Sequence, residues 1–138
     1  MTIQSLAHVC LKATDLAATE TFYCEALGLT KFFNFTRKGK VIGFYLKAAN
    51  ETFVEVFAAE EVTAVGKSVL THFCLQVGDI RALRAALVEK GYAPRELKMG
   101  ADGSIQFWMR DPGGMELEFQ EYTEKSSQRT GQDVEVNW

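Results

Sequence analysis

The two histidines of this chain lie in two similar stretches, SLAHVCL at residues 5–11 and LTHFCL at residues 70–75. A constant offset aligns His8 with His72. The same offset aligns further pairs of equal or similar residues, namely Cys10 with Cys74, Leu11 with Leu75, Asp15 with Asp79, Leu16 with Ile80 and Ala18 with Ala82. Self-similarity of this kind indicates a duplicated supersecondary unit.

An offset that is one residue shorter extends the match to the ends of both copies. It aligns Gly28 with Gly91 and Glu55 with Glu118. Each copy therefore has a His near its start and a Glu near its end. Two imidazoles and two carboxylates at matching positions form a set of ligands suited to a divalent metal.

Length, charge and cysteine content limit the class of protein. The chain has 138 residues, which suits one domain or two small modules. Its net charge of -3 and the lack of a basic cluster argue against binding to nucleic acid. Neither a signal-peptide pattern nor an apolar stretch of about 20 residues is present, so no membrane association is expected. Three cysteines without a CxxC motif favour a reducing cytoplasm over a disulfide framework.

Hydrophobic alternation and turn residues predict the element order βαβββ in each copy. The expected strands of the first copy are 3–12, 29–35, 41–47 and 52–58, with a helix at 15–27. The expected strands of the second copy are 70–77, 92–97, 104–110 and 115–122, with a helix at 79–90. We therefore predict an α+β fold with a first module at 1–59, a linker at 60–69, a second module at 70–122 and a polar tail at 123–138. The tail is either disordered or packed on a partner subunit.

Glu55 and Glu118 lie inside apolar strands, where an unpaired carboxylate is costly to bury. A divalent cation would offset that cost by pairing with the carboxylates. A single His or Glu in a strand is usually a hydrogen-bonded core residue or part of a solvated face. Matching positions in a repeat instead favour a metal site formed by His8, Glu55, His72 and Glu118. These ligands suit Ni, Zn, Co, Mn or Fe(II) and leave coordination positions for substrate oxygens, while Glu55 or Glu118 could move a proton.

Other polar residues have more ordinary interpretations as well. Lys98 and Arg110 are candidates for holding an anionic group of a small-molecule substrate, although solvated basic residues are common. Cys10 and Cys74, each two positions beyond a His and on the same face, are candidates for pocket-lining residues or further ligands, but the favoured interpretation is a small buried apolar residue. Glu116 is expected to lie on a solvated face of its strand.

Two motifs add a family resemblance. Asp15-Leu16 followed by FYCEALGL at residues 22–29, and DPGGMELEF at residues 111–119, resemble the first helix and the final hairpin of the vicinal oxygen chelate superfamily. This superfamily groups glyoxalase I, bleomycin-resistance proteins, fosfomycin-resistance enzymes, methylmalonyl-CoA epimerase and extradiol dioxygenases. The resemblance covers about residues 3–122.

The resemblance implies two tandem βαβββ modules that form a cupped mixed sheet around one divalent metal, commonly completed in a homodimer. In the glyoxalase I type, each module supplies one His and one Glu, which carried over gives His8, Glu55, His72 and Glu118. Bleomycin-binding members typically lack such ligands. Fosfomycin-resistance enzymes and dioxygenases usually use only one Glu. Where glutathione-dependent members have an Asn shortly after the first Glu, residues 57–59 are Phe, Ala and Ala.

The first functional hypothesis is a metal-dependent carbon–sulfur lyase or isomerase of the glyoxalase I type, located in the cytoplasm. The second is a dioxygenase or an antibiotic-modifying transferase with the same fold. The third is a non-catalytic module that binds an aromatic or planar ligand. Bound metal would separate the first two hypotheses from the third.

Overall fold

The computed structural model describes residues 4–62 and 69–136. The chain divides into two compact units. The first unit is Met1–Ala64 together with Asp111–Gly114, and the second is Val65–Arg110 together with Met115–Trp138. Most of the linker expected at 60–69 falls at 63–68, outside the described residues.

Both units contain the expected βαβββ order. The elements of the first unit are β1 (His8–Ala13), α1 (Leu16–Thr21) with a π-helical turn over Phe22–Ala26, β2 (Thr30–Arg37), β3 (Lys40–Ala49) and β4 (Thr52–Ala58). Those of the second unit are β5 (Phe73–Gln76), α2 (Ile80–Glu89), β6 (Lys98–Met99), β7 (Ile105–Arg110) and β8 (Glu116–Glu121). A short helix, α3 (Ser127–Thr130), follows.

The strands of each unit are arranged in the same way. The sheet orders are β1-β4-β3-β2 and β5-β8-β7-β6. In each sheet the first and last strands of the unit are parallel neighbours, and the other pairs are antiparallel. The predicted α+β fold with two tandem modules is therefore confirmed. The parallel pair brings together the two ends of each unit, where the predicted ligands lie.

Equivalent aspartates begin the first helix of each unit. The Asp15 side chain accepts a hydrogen bond from Ala18 N, and the Asp79 side chain accepts one from Ala82 N, both at 2.9 Å. These bonds satisfy backbone N–H groups that have no partner within the helix. The repeated aspartates are thus explained by helix capping rather than by chemistry.

One face of each sheet packs against the helix of its own unit. The buried apolar side chains of the first unit include Leu11, Ala13, Phe22, Tyr23, Ala26, Phe44, Leu46, Val54 and Val56. Those of the second unit include Ile80, Leu87, Phe107, Met109, Leu117 and Phe119. Because side chains alternate along a strand, the predicted ligands lie on the opposite face of each sheet.

The prediction of a strand at 92–97 is wrong, because this segment has no regular secondary structure. The edge strand is instead β6, in the stretch expected to be a loop, where Lys98 and Met99 pair with β7. Pro94 has no N–H group to contribute to a ladder of hydrogen bonds. A backbone bond from Arg95 N to Trp108 O, at 2.8 Å, connects this segment to β7.

The beginning of the polar tail packs on its own unit. Ser126 is fully buried, and Ser127 N donates a 2.8 Å hydrogen bond to Asp102 O. Residues 123–130 thus contact the loop before β7. Among the described residues, no helix is long and apolar enough to cross a membrane.

Candidate metal centre

The first unit places His8 beside Glu55. In the parallel pairing of β1 and β4, Cys10 is the register partner of Glu55, so the His8 side chain lies on the same face two positions earlier. His8 Nε2 is 3.8 Å from Glu55 Oε2. Tyr45 Oη, from β3, lies 3.2 Å from His8 Nδ1.

The second unit places His72 beside Glu118 in the same way. His72 immediately precedes β5, and its Nε2 is 3.3 Å from Glu118 Oε2. Thr71 Oγ1 lies 3.0 Å from His72 Nδ1, and the Trp108 ring meets the imidazole edge-on with centroids 4.7 Å apart. Glu118 is 8% exposed, so its carboxylate is buried.

The two pairs share a geometry that suits metal binding. In both, a hydroxyl is within hydrogen-bond distance of Nδ1 while Nε2 faces a carboxylate oxygen. The tautomer that carries its proton on Nδ1 leaves the Nε2 lone pair available for a metal. Adjacent ligands with bonds of roughly 2.1 Å are about 3 Å apart, close to the separation in the second pair.

Each pair supplies only part of a metal site. Within each unit, the described residues contain no group of three or more His, Cys, Asp and Glu side chains able to hold a metal ion. The donor set fits a divalent transition metal, since imidazole and carboxylate are both common ligands for these ions. The four-ligand site remains a prediction that requires both pairs.

The interpretation of Cys10 and Cys74 as buried apolar residues is wrong, because both are exposed. The alternation that places the histidines on the open face places these residues there too. Partial burial of the thiol, followed by the nearby Glu55, raises the pKa of Cys10 to about 11. Partial burial, followed by Glu118 and Asp102, raises the pKa of Cys74 to about 12. Both thiols are therefore protonated at neutral pH.

The interpretation of Glu116 as part of a solvated face is also wrong. Glu116 is 8% exposed, and its Oε1 accepts hydrogen bonds from Arg95 Nη2 at 3.0 Å and Arg110 Nε at 2.7 Å. Its Oε2 is buried and has no hydrogen-bond partner among the described residues. Arg110, predicted to bind substrate, therefore neutralises a buried carboxylate of its own unit.

A cavity of about 380 Å³ lies next to the second pair. It is lined by Thr71, His72, Arg95, Glu96, Lys98, Trp108 and Glu116. Lys98 lines this cavity and Arg110 lines another, and the substrate-binding role of each remains a prediction. Two cations, Arg95 and Lys98, and two acids, Glu96 and Glu116, line this cavity. Both acids pair with arginines, so Lys98 is the lining cation for which no ion pair is recorded among the described residues.

Sequence reasoning missed Arg95. It lies in an irregular segment after Pro94, where no periodicity assigns its side chain to a face. Its position near His72 depends on contacts with β7 and β8 that are distant in sequence. The contact of both Arg95 and Arg110 with the buried Glu116 is visible only in the structure.

The open face of the first sheet carries stacked aromatic rings next to Glu55. Tyr45 stacks on Phe33 with centroids 4.8 Å apart and on Phe53 with centroids 4.9 Å apart. Phe32 stacks on Phe53 and is 62% exposed. Tyr45 is also the register partner of Glu55, so the rings and the carboxylate share one face. This face offers a flat apolar surface beside the first ligand pair.

Comparison with solved structures shows the same fold in other proteins. A glyoxalase family protein from Enterococcus faecalis is 28% identical, with a TM-score of 0.74, over 88% of this chain and 100% of that chain. Lactoylglutathione lyase from Agrobacterium tumefaciens is 20% identical, with a TM-score of 0.67, over 91% and 97% of the two chains. An integron cassette protein from the metagenome of the Halifax Harbour sewage outfall is 22% identical, with a TM-score of 0.73, over 87% and 100%.

The sequence also matches a known family. No curated protein matches the chain. The profile of a family that includes many enzymes and commonly binds a divalent metal matches residues 5–119, a range that includes both His–Glu pairs and ends within β8. This match, together with the duplicated fold, confirms the resemblance inferred from the helix and hairpin motifs. The chain belongs to the Glyoxalase/Bleomycin resistance protein/Dioxygenase superfamily.

Proposed function

We propose that the chain is a metal-dependent lyase or isomerase of the glyoxalase I type. The observation that carries this proposal is the repeated His–Glu pair, with Nε2 of each His facing Oε2 of each Glu. His8, Glu55, His72 and Glu118 would be the ligands of one divalent metal, among Ni, Zn, Co, Mn and Fe. A homodimer and a cytoplasmic location form part of the same proposal.

Different residues of the chain have different roles in the proposed reaction. When bound, a divalent metal supplies positive charge that stabilises oxygen anions of the substrate. Glu55 or Glu118 accepts a proton from one substrate carbon and returns it to the neighbouring carbon. Trp108 packs against His72 and limits the movement of its ring.

The cavity beside His72 would bind the anionic end of a small substrate. Lys98 and Arg95 both line it, and the Arg95 side chain is 59% exposed although one of its nitrogens contacts Glu116. A guanidinium has further N–H groups that can bind a carboxylate or phosphate. Arg110 would assist indirectly, because it shares the negative charge of Glu116.

The first test is the metal content of the purified protein, measured by elemental analysis. We expect about one divalent metal per subunit in the wild type and little in the double variant His72→Ala with Glu118→Ala. Glu51→Ala, at an exposed turn position, is the matched control and should retain the metal. Absence of metal from the wild type after incubation with Ni, Co, Zn and Mn would reject the proposal. If metal is found, assays with methylglyoxal and several thiols follow.

The exposed aromatic rings favour a second candidate, a non-catalytic module that binds a planar ligand. Phe33 is 43% exposed and stacks on Tyr45, so an added ring could extend the stack. This candidate predicts that Phe33→Ala abolishes binding of a planar aromatic probe, while Glu118→Ala leaves binding unchanged. Fluorescence titration of both variants separates the two functions.

A further inference from the structure

The carboxylate of Glu118 is one end of a chain of hydrogen bonds that reaches the C-terminal segment. Gln120 Nε2 donates to Glu118 Oε1 at 2.9 Å and to Asp102 Oδ2 at 3.3 Å. Gln128, in α3, donates to the same oxygen of Asp102 at 2.5 Å. All four residues belong to the second unit, and Glu118 and Gln120 are buried.

Chemistry fixes the orientation of the Gln120 amide. Its nitrogen lies between two carboxylates, which can only accept hydrogen bonds when ionised. Rotating the amide by half a turn would place its oxygen against both negative charges. In the observed orientation, Gln120 Oε1 instead faces Gln128 Nε2 at 3.4 Å. The side chain of Gln120 therefore cannot rotate without losing its contacts at both ends.

The tail fits closely against the loop that carries Asp102. Ser126 Oγ and Thr123 Oγ1 both donate to Gly103 O, at 3.1 Å and 2.8 Å. Gly103 has a φ of +79°, and a Cβ there would lie 2.9 Å from Lys125 O. Only glycine allows this approach without strain. The loop position thus depends on the docked tail.

Asp102 remains charged in this arrangement. Burial alone would raise the pKa of its carboxyl, but hydrogen bonds from Gln128 and Ser104 outweigh that effect and hold the pKa below its ordinary value. Ser104 contributes through both its backbone N and its Oγ, which contact Asp102 Oδ1. A charged acceptor strengthens the bonds from both glutamines.

We propose that Gln120, Asp102 and Gln128 are positioning residues that hold Glu118 Oε2 towards His72 Nε2, so that docking of residues 123–130 controls metal affinity. The inference rests on the proposed metal-binding function and adds the tail as a regulator of it. Residues that orient a ligand reduce the cost of ordering it when the metal binds. Metal binding should in turn stabilise the docked tail, because such coupling is reciprocal.

The test is the affinity of the full chain for nickel(II), measured by isothermal titration calorimetry. Gln120→Met keeps the length of the side chain but removes its hydrogen bonds, and we expect affinity to fall about 10-fold to 100-fold. Gln128→Ala, at an exposed position, should cause a smaller loss. Gln76→Met is the control, since Gln76 is exposed and lies on the neighbouring strand β5.

A double variant separates positioning from a merely structural role. If Gln128 acts through Gln120, adding Gln128→Ala to Gln120→Met should cause no further loss of affinity. Independent losses that add in the double variant would contradict the chain of contacts. Unchanged affinity in both single variants would overturn the inference outright.

A metal-free measurement keeps this inference distinct from the proposed function. Amide hydrogen exchange at Ser127, whose N–H is bonded to Asp102 O, reports docking of the tail. We expect faster exchange in both Glu118→Ala and Gln120→Met than in Gln76→Met. Absence of nickel binding by the wild type would reject the proposed function. Equal exchange rates at Ser127 in the three variants would separately reject the proposed chain of positioning contacts.

Discussion

The Tyr23 hydroxyl donates a 2.8 Å hydrogen bond to Asp111 Oδ2, and both residues are buried. Tyr23 belongs to the helix motif and Asp111 to the hairpin motif that carry the family resemblance. Although Asp111 follows β7 in sequence, it belongs to the first unit. The two motifs therefore share a structural contact, which explains the Tyr and the Asp in them by folding rather than by catalysis.

Tyr23→Phe should destabilise the fold by about 1–3 kcal/mol, because a buried carboxylate loses a hydrogen-bond donor. Urea denaturation of both proteins measures the difference in free energy of unfolding. Tyr122→Phe is the control, since Tyr122 is only half-buried, and should change stability by less than about 0.5 kcal/mol. An equal effect of the two substitutions would contradict a special role for the Tyr23 hydroxyl.

The same tyrosine predicts a loss of stability at alkaline pH. Burial, followed by the charge and hydrogen bond of Asp111, raises the pKa of Tyr23 well above its ordinary value of 10.0. Below pH 10.0 its contribution is fully present, and it declines as the pH rises further, because the unfolded state releases the proton first. The wild type should therefore lose more stability than Tyr23→Phe between about pH 9 and about pH 11. Urea denaturation of both proteins at both pH values measures this loss. An equal loss of unfolding free energy in the wild type and in Tyr23→Phe would contradict the prediction.

Gly43 should be intolerant of a side chain. A Cβ at this position of β3 would lie 2.4 Å from Val56 O and 2.8 Å from Phe57 Cδ1. We expect Gly43→Ala to cost about 1–3 kcal/mol, as other overpacking substitutions do. Gly78→Ala is the matched control, because a Cβ there meets nothing within 4 Å. Thermal unfolding of the two variants should place the midpoint of Gly43→Ala clearly lower.

Lys98 and Arg95 should affect binding of an anionic substrate more than turnover. Both line the cavity beside His72 without being predicted metal ligands. Once a substrate is known, we expect Lys98→Met and Arg95→Met to raise KM with little change in kcat. Removing a contact that is equally strong in the ground state and the transition state weakens binding without changing the barrier of the bound substrate. Lys40→Met, at an exposed position of the first unit, serves as the control. A fall in kcat at constant KM would assign these residues to the chemical step instead.

Much of the fold could be predicted because two signals agreed along the chain. Asp15 and Asp79 marked both helix starts, and the repeat of His and Glu marked the parallel strands at the ends of each unit. Alternation assigned His8 and Glu55 to a face of their own strands, and the parallel pairing of β1 with β4 is what brings the two side chains together. The pairing distances of 3.8 Å and 3.3 Å are consistent with that reasoning.

The failures have physical causes. The strand expected at 92–97 contains Pro94, and pairing with β7 instead begins at Lys98. The burial of Glu116 could not be predicted because it depends on Arg95 and Arg110, which approach from an irregular segment and a neighbouring strand. Cys10 and Cys74 were judged by residue type, although their strand positions placed them on the open face.

The parallel pairing of β1 with β4 and of β5 with β8 has a consequence for biosynthesis. Each His is made at the start of its unit, but its Glu is added only with the unit's last strand. A growing chain can therefore assemble each pair only after the strand that carries its Glu, β4 or β8, has been made. The second pair cannot form before residue 118 has left the ribosome, so a chain that ends anywhere between the two residues carries His72 without its carboxylate partner.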